Sequence, residues 1–123
     1  MLSGDRLNPE TARLWLAPQV MVQSVASDTS ETDTHVAWGL GWGLEPQSGT
    51  FFQWGDNDRG RFKAFAMGSL KDRSAVVVFT NGFNGMSIMP ELVDGTLPGA
   101  HPAFDWLNYP RFHKGPRPRG TAE

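Results

Sequence analysis

Five consecutive residues, Gln53-Trp54-Gly55-Asp56-Asn57, place two side-chain amides and a carboxylate around a glycine, directly behind the aromatics Phe51 and Phe52. A strand that runs into a glycine followed by small polar residues can hold backbone N–H groups against a ligand. The chemistry such a segment suits is stabilisation of a developing oxyanion by fixed donors. The simpler account is a hairpin turn with an Asp-Asn tip, continued by a turn at Asp58-Arg59-Gly60. Asp33 and His35 form a second pair of chemistry-bearing residues. They lie in a polar, acidic stretch and read as the edge of a solvated loop.

The elements that must position these residues follow from composition and pattern. A chain of 123 residues suffices for one domain with one sizeable core. Its 39% hydrophobic content, 14 glycines and 9 prolines suit a loop-rich α+β or β domain better than a helical bundle. A formal charge of -2 indicates no nucleic-acid or membrane partner. Cysteine is absent, which excludes disulfide scaffolds and thiolate metal sites but leaves the compartment open. The longest apolar run, Ala75-Val76-Val77-Val78-Phe79, is strand-sized, so no transmembrane segment is expected, and the N-terminus does not read as a signal peptide.

Asn8-Pro9-Glu10 opens a short helix, with Asn8 as cap, Leu14, Leu16 and Ala17 as its apolar side, and Pro18 as its stop. Residues 24–34 read as an exposed loop. Val36 to Leu44 alternates large apolar residues with Ala and Gly, predicting one strand. After the turn Pro46-Gln47-Ser48-Gly49, Thr50 to Trp54 pairs back on it, and Gly55 ends that strand. Arg61 to Ser69 is a third strand, with Phe62, Ala64 and Ala66 on one face and Lys63, Phe65 and Met67 on the other. Ser74 to Thr80 is a fourth, whose valines predict a central position covered on both faces. Asn84 caps a helix through Met89, Leu92 and Val93, and Phe104, Trp106 and Leu107 dock a last turn. Trp38, Trp42 and Val78 are expected in the core. The basic, proline-rich residues 110–123 are expected to be a disordered tail.

Several strings carry a resemblance in their order and spacing. They are Asn8-Pro9-Glu10-Thr11-Ala12, Pro18-Gln19-Val20, Gly39-Leu40-Gly41-Trp42-Gly43-Leu44, Trp54-Gly55-Asp56-Asn57, Val77-Val78-Phe79-Thr80-Asn81-Gly82 and His101-Pro102-Ala103-Phe104-Asp105-Trp106-Leu107. Together they resemble the C-terminal part of serine hydrolases of the β-lactamase and penicillin-binding-protein type, in the class C-like and esterase-like branch. The resemblance implies a partial domain over residues 1–109, an acyl-serine mechanism in the complete protein, and a small ester, amide or peptide substrate. It implies no cofactor or metal. Members of the family are often extracytoplasmic, and the localisation of this chain is left open. Of the family's three active-site motifs only the third has a counterpart. There Gln53 stands at the Lys or His position, and Asp56 would lend its backbone N–H to the oxyanion hole. A shift of one residue is the alternative alignment, and it exchanges the faces.

The chain departs from the family elsewhere. No serine is followed three positions later by lysine, and the only tyrosine, Tyr109, precedes Pro110-Arg111 rather than completing Tyr-x-Asn. No Gly-x-Ser-x-Gly, zinc motif or phosphate loop substitutes. The expectation is therefore an α+β chain with a four-stranded antiparallel sheet and flanking helices, the C-terminal portion of a β-lactamase/transpeptidase-like fold. It borders an active site at Gln53, Trp54, Gly55, Asp56 and Asn57 but has no nucleophile or base. The alternative is a non-catalytic interaction module that retains the sheet. An uncovered sheet edge or face would favour self-association.

Overall fold

In the first helix, the Asn8 side chain accepts the Glu10 N–H at 2.9 Å, Pro9 takes the first helical position, and α1 runs Pro9–Trp15. The computed structural model describes residues 6–23, 32–57, 59 and 61–109, so the expected tail lies outside the described residues. Most of the predicted 24–34 loop lies outside them too, although its last three residues already belong to a strand. Trp15 and Leu16, rather than Leu14, face the sheet; Leu14 is exposed because it lies on the outer side of this short helix.

Among the described residues, the sheet has six antiparallel strands in chain order, instead of four. They are β1 Val20–Gln23, β2 Thr32–Trp38, β3 Gly43–Glu45, β4 Thr50–Asn57, β5 Phe62–Ser69 and β6 Ser74–Asn81. Two differences from the expected meander have local causes. The Val36–Leu44 stretch is a hairpin rather than one strand, since Ala37 pairs Leu44 and Trp38 pairs Gly43. Its turn is closed by the Gly39 N–H on the Trp42 carbonyl at 2.7 Å, and Gly41 supplies a φ of 84° that few other residues adopt. Met21 and Val20 then pair β2 from its other side as β1.

Register divides the side chains between two faces, because directly opposed residues share a face. One face carries Val36, Trp38, Phe52, Trp54, Phe65, Met67, Val76 and Val78. It is covered by a 3₁₀ turn, Gly85–Ile88, by α2 Met89–Asp94 and by α3 Pro102–Trp106. The core sits here, built from Phe52, Phe65, Met67, Met89, Val93, Leu97, Ala103 and Phe104. Gly43 belongs to this face for steric reasons, since a Cβ there would lie 2.4 Å from the Phe52 ring. Met89 and Val93 are buried as the helical spacing predicts, but Leu92 is exposed, one position round the helix. Trp38 and Val78 are half-buried against the core.

The other face carries Leu44, Phe51, Gln53, Gly55, Asn57, Phe62, Ala64, Ala66, Ala75, Val77 and Phe79. Helix α1 packs on its β3–β4 end, where Trp42 meets Trp15 edge-on at 6.1 Å and Phe51 at 5.1 Å. Trp42 therefore packs against the opposite face from Trp38, against expectation, because the hairpin turn lies between them. An apolar cavity of about 500 Å³ lies between α1 and this face. Val77 lines it and is still 61% exposed, and beyond it Phe79 is 79% exposed. Strand β6 was expected to be central and covered on both faces; it is an edge strand with one face open. A run of consecutive valines has no alternation to reveal which neighbours it gains.

Candidate functional site

Residues 55–57 do not form a loop. Strand β4 continues through Gly55 to Asn57, opposite Ala66, Phe65, Ala64, Lys63 and Phe62 in turn. The expected end at Gly55 is corrected because β5 offers partners along the whole segment, and glycine needs no turn when a ladder holds it. The turn falls later, where Arg59 has a φ of 55°.

On its other side β4 is paired only at its start. Gly43, Leu44 and Glu45 of β3 oppose Phe52, Phe51 and Thr50, and there β3 ends. Among the described residues, no strand lies against that edge from Gln53 to Asn57. One strand is thus interior in its first half and an edge in its second.

The direction of the N–H groups along this edge follows from alternation. Gly39 donates to Trp42 across the β2–β3 turn, so Ala37 and Leu44 form the hydrogen-bonded pair of that ladder. Leu44 then faces β2, Gly43 and Glu45 face β4, and Phe52 and Thr50 face β3. Two and four residues beyond Phe52, the N–H groups of Trp54 and Asp56 leave on the same side. A separate contact agrees, since the Trp54 N–H is taken at 3.1 Å by the Gln53 side-chain oxygen rather than by β5.

Each predicted site residue has a definite place. The Gln53 side-chain nitrogen donates to the Gly41 carbonyl at 2.9 Å, tying the β2–β3 turn to β4. Gln53, Gly55 and Asn57 lie on the open face, and nothing lies within 4 Å of where a Gly55 Cβ would be. Trp54 and Asp56 lie on the packed face. Trp54 stands edge-on to Trp38 at 5.7 Å and to Trp106 at 5.5 Å. The Asp56 carboxylate pairs with the Lys63 ammonium directly across the ladder. It therefore braces the strand rather than closing a local turn. Lys63 is buried, with its stem against the 3₁₀ turn.

Tyr109 offers no base. Burial, and then the nearby Asp56 carboxylate, push its phenol up to about 12. His35, the other singled-out residue, lies 3.0 Å from the Gln47 side-chain nitrogen on an exposed surface. The side chain of Asp33 lies outside the described residues. No group of three or more metal-ligating side chains occurs among the described residues, and no helix there is long and apolar enough to cross a membrane.

The sequence gives no sign of the most polar buried cluster, around Glu45. One Glu45 carboxylate oxygen accepts the Ala103 N–H at 3.0 Å. The other accepts the Thr50 hydroxyl and faces His101 Nδ1 at 3.0 Å. His101 Nε2 lies 2.7 Å from the Leu97 carbonyl. Both ring nitrogens thus face acceptors, an arrangement that the imidazolium satisfies with two donors. Burial by itself lowers the His101 pKa. The hydrogen bonds to Glu45 and Leu97 and the charges of Glu45 and Asp94 outweigh it, and the pKa is raised. Glu45 is 1% and His101 5% exposed, and their polar atoms are committed, so the cluster fastens α3 to the β3–β4 hairpin and offers nothing to a substrate. The partners lie 56 positions apart, beyond any local signal.

Comparison with protein-family models, with curated proteins and with solved structures finds no match.

Proposed function

We propose that this chain is the C-terminal portion of a serine hydrolase related to β-lactamases and penicillin-binding proteins, esterase- or peptidase-like in its chemistry, and that its acyl substrate lies along Gln53–Asn57. The observation that carries the reading is the half-open strand: β4 loses its β3 partner at the residue where the motif begins. An extended acyl or peptide group can add to such an edge as a further strand, held by main-chain hydrogen bonds. The Asp56 N–H would then donate to the substrate carbonyl, and more strongly to the oxyanion that forms from it. Its strand is braced on the packed face by Asp56–Lys63 and Trp54, so the donor is fixed before the substrate arrives.

Gln53 is neutral and its amide nitrogen is engaged by Gly41. It orients the edge and supplies no charge for a substrate carboxylate, which favours uncharged esters and amides over lactam antibiotics. The nucleophile and its base come from outside these residues, since no Ser-x-x-Lys is present. A second reading, a non-catalytic interaction module, is favoured by the exposed Val77 and Phe79 on β6.

Titration of the isotope-labelled chain with an N-acetylated dipeptide ester, followed by amide NMR shifts, separates the two. The hydrolase reading expects saturable shifts at Trp54 to Asn57 that Asp56→Pro abolishes. Shifts absent from this edge, or confined to β6, overturn it.

A further inference from the structure

Strand β6 is eight residues long, stands at the edge of the sheet, and contains no charged residue and no proline between Ser74 and Asn81. Edge strands are ordinarily protected by charge, proline, a bulge or brevity, and β6 has none of these. The same alternation that orients β4 orients β6. Val76, Val78 and Thr80 face β5, so the N–H and C=O groups of Ala75, Val77 and Phe79 face outward.

We propose that this edge pairs with the β6 of a second copy of the chain, antiparallel and two-fold symmetric about Val77. The inference is independent of the hydrolase reading. A symmetric antiparallel pair must be centred on a residue, because opposed side chains share a face. Centring on Val77 sets Ala75 opposite Phe79 of the copy and Val77 opposite itself on the open face. On the packed face it sets Val76 opposite Val78, and Ser74 opposite Thr80. From Ser74 to Thr80, every pair then matches apolar with apolar or hydroxyl with hydroxyl. All three outward-facing residues find outward-facing partners. Arg73, at the hairpin tip, falls opposite Asn81 of the copy, so no like charges meet. Centring one residue later would set Ala75 opposite Asn81 and Val76 opposite Thr80, losing both matches. The self-complementarity of the strand is what selects a second copy as the occupant.

Light scattering with size-exclusion chromatography tests the pairing. The expected result is a species of twice the 13.6 kDa chain mass that dissociates on dilution. Val77→Lys places two ammonium groups opposite each other on the axis. Val77 is 61% exposed, so the substitution leaves the core intact, and it should yield monomer with an unchanged melting curve at low concentration. Phe79→Lys should also weaken the dimer, and adding Ala75→Glu should restore it by setting Lys against Glu across the axis. A wild-type chain that stays monomeric at high concentration overturns the proposal. So does a dimer that survives Val77→Lys, or a double variant that remains monomeric.

Discussion

At the scale of single residues, two buried positions carry consequences that can be measured. The His101 imidazolium is held between the Glu45 carboxylate and the Leu97 carbonyl, and its pKa is raised in the folded chain. A group whose folded pKa is raised binds more protons when folded, so its stabilisation is complete below the ordinary value of 6.5 and disappears as pH rises through the folded value. The melting temperature of the wild type relative to His101→Gln should therefore fall as pH rises above the ordinary value of 6.5. A difference that is flat or rises with pH above that value contradicts the assignment. Glu45→Ala leaves the imidazolium, the Thr50 hydroxyl and the Ala103 N–H without their acceptor, and should cost about 3–5 kcal/mol in denaturant unfolding. Gly43→Ala drives a methyl group against the Phe52 ring and should cost about 1–3 kcal/mol. Full stability in that variant would place the Phe52 ring elsewhere.

At the scale of elements, the sequence reading succeeds where periodicity is strong and fails where neighbours decide. The faces from Ala64 to Met67 are legible because small and bulky residues alternate there, and the Asn8 cap because its chemistry is local. The β2–β3 hairpin is hidden because glycines at both turn and strand positions keep the alternation looking unbroken. The edge position of β6 is hidden because nothing in a strand's own residues states how many partners it has. Of the candidate site, the strand up to Trp54 is legible in the sequence, but its continuation through Asn57 and the open edge are not, because they depend on how far β5 and β3 reach along β4. The two sheet faces should also differ in energy. Phe52→Ala empties the core and should cost about 3–5 kcal/mol. Trp42→Ala removes two edge-on ring contacts on the half-covered face, and should cost less, about 1–3 kcal/mol. Equal losses would mean that α1 closes a second core.

At the scale of the whole molecule, the sheet is finished on one face and unfinished on the other. Helices α2 and α3 cover the core face, whereas on the other face α1 leaves Phe62 of β5 and Phe79 of β6 exposed. The edge proposed to hold the acyl group and the β6 edge lie on strands separated only by β5. An N–H donor alone stabilises charge that a nucleophile must first create. The 123-residue chain by itself should therefore leave p-nitrophenyl esters and nitrocefin at the background rate. Stoichiometric labelling of one serine by a fluorophosphonate would show a nucleophile within it.

The hydrolase reading depends on the second half of β4 presenting its N–H groups to an open edge, and amide hydrogen exchange reads that directly. Gly55 donates towards β5 and Phe52 towards β3, so both amides should be protected. The Asp56 amide should exchange on the order of a hundredfold faster than either, although it lies between paired residues of the same strand. Protection of Asp56 equal to that of Gly55 would mean that its N–H is already bonded within the sheet, and the substrate-bordering edge would not exist.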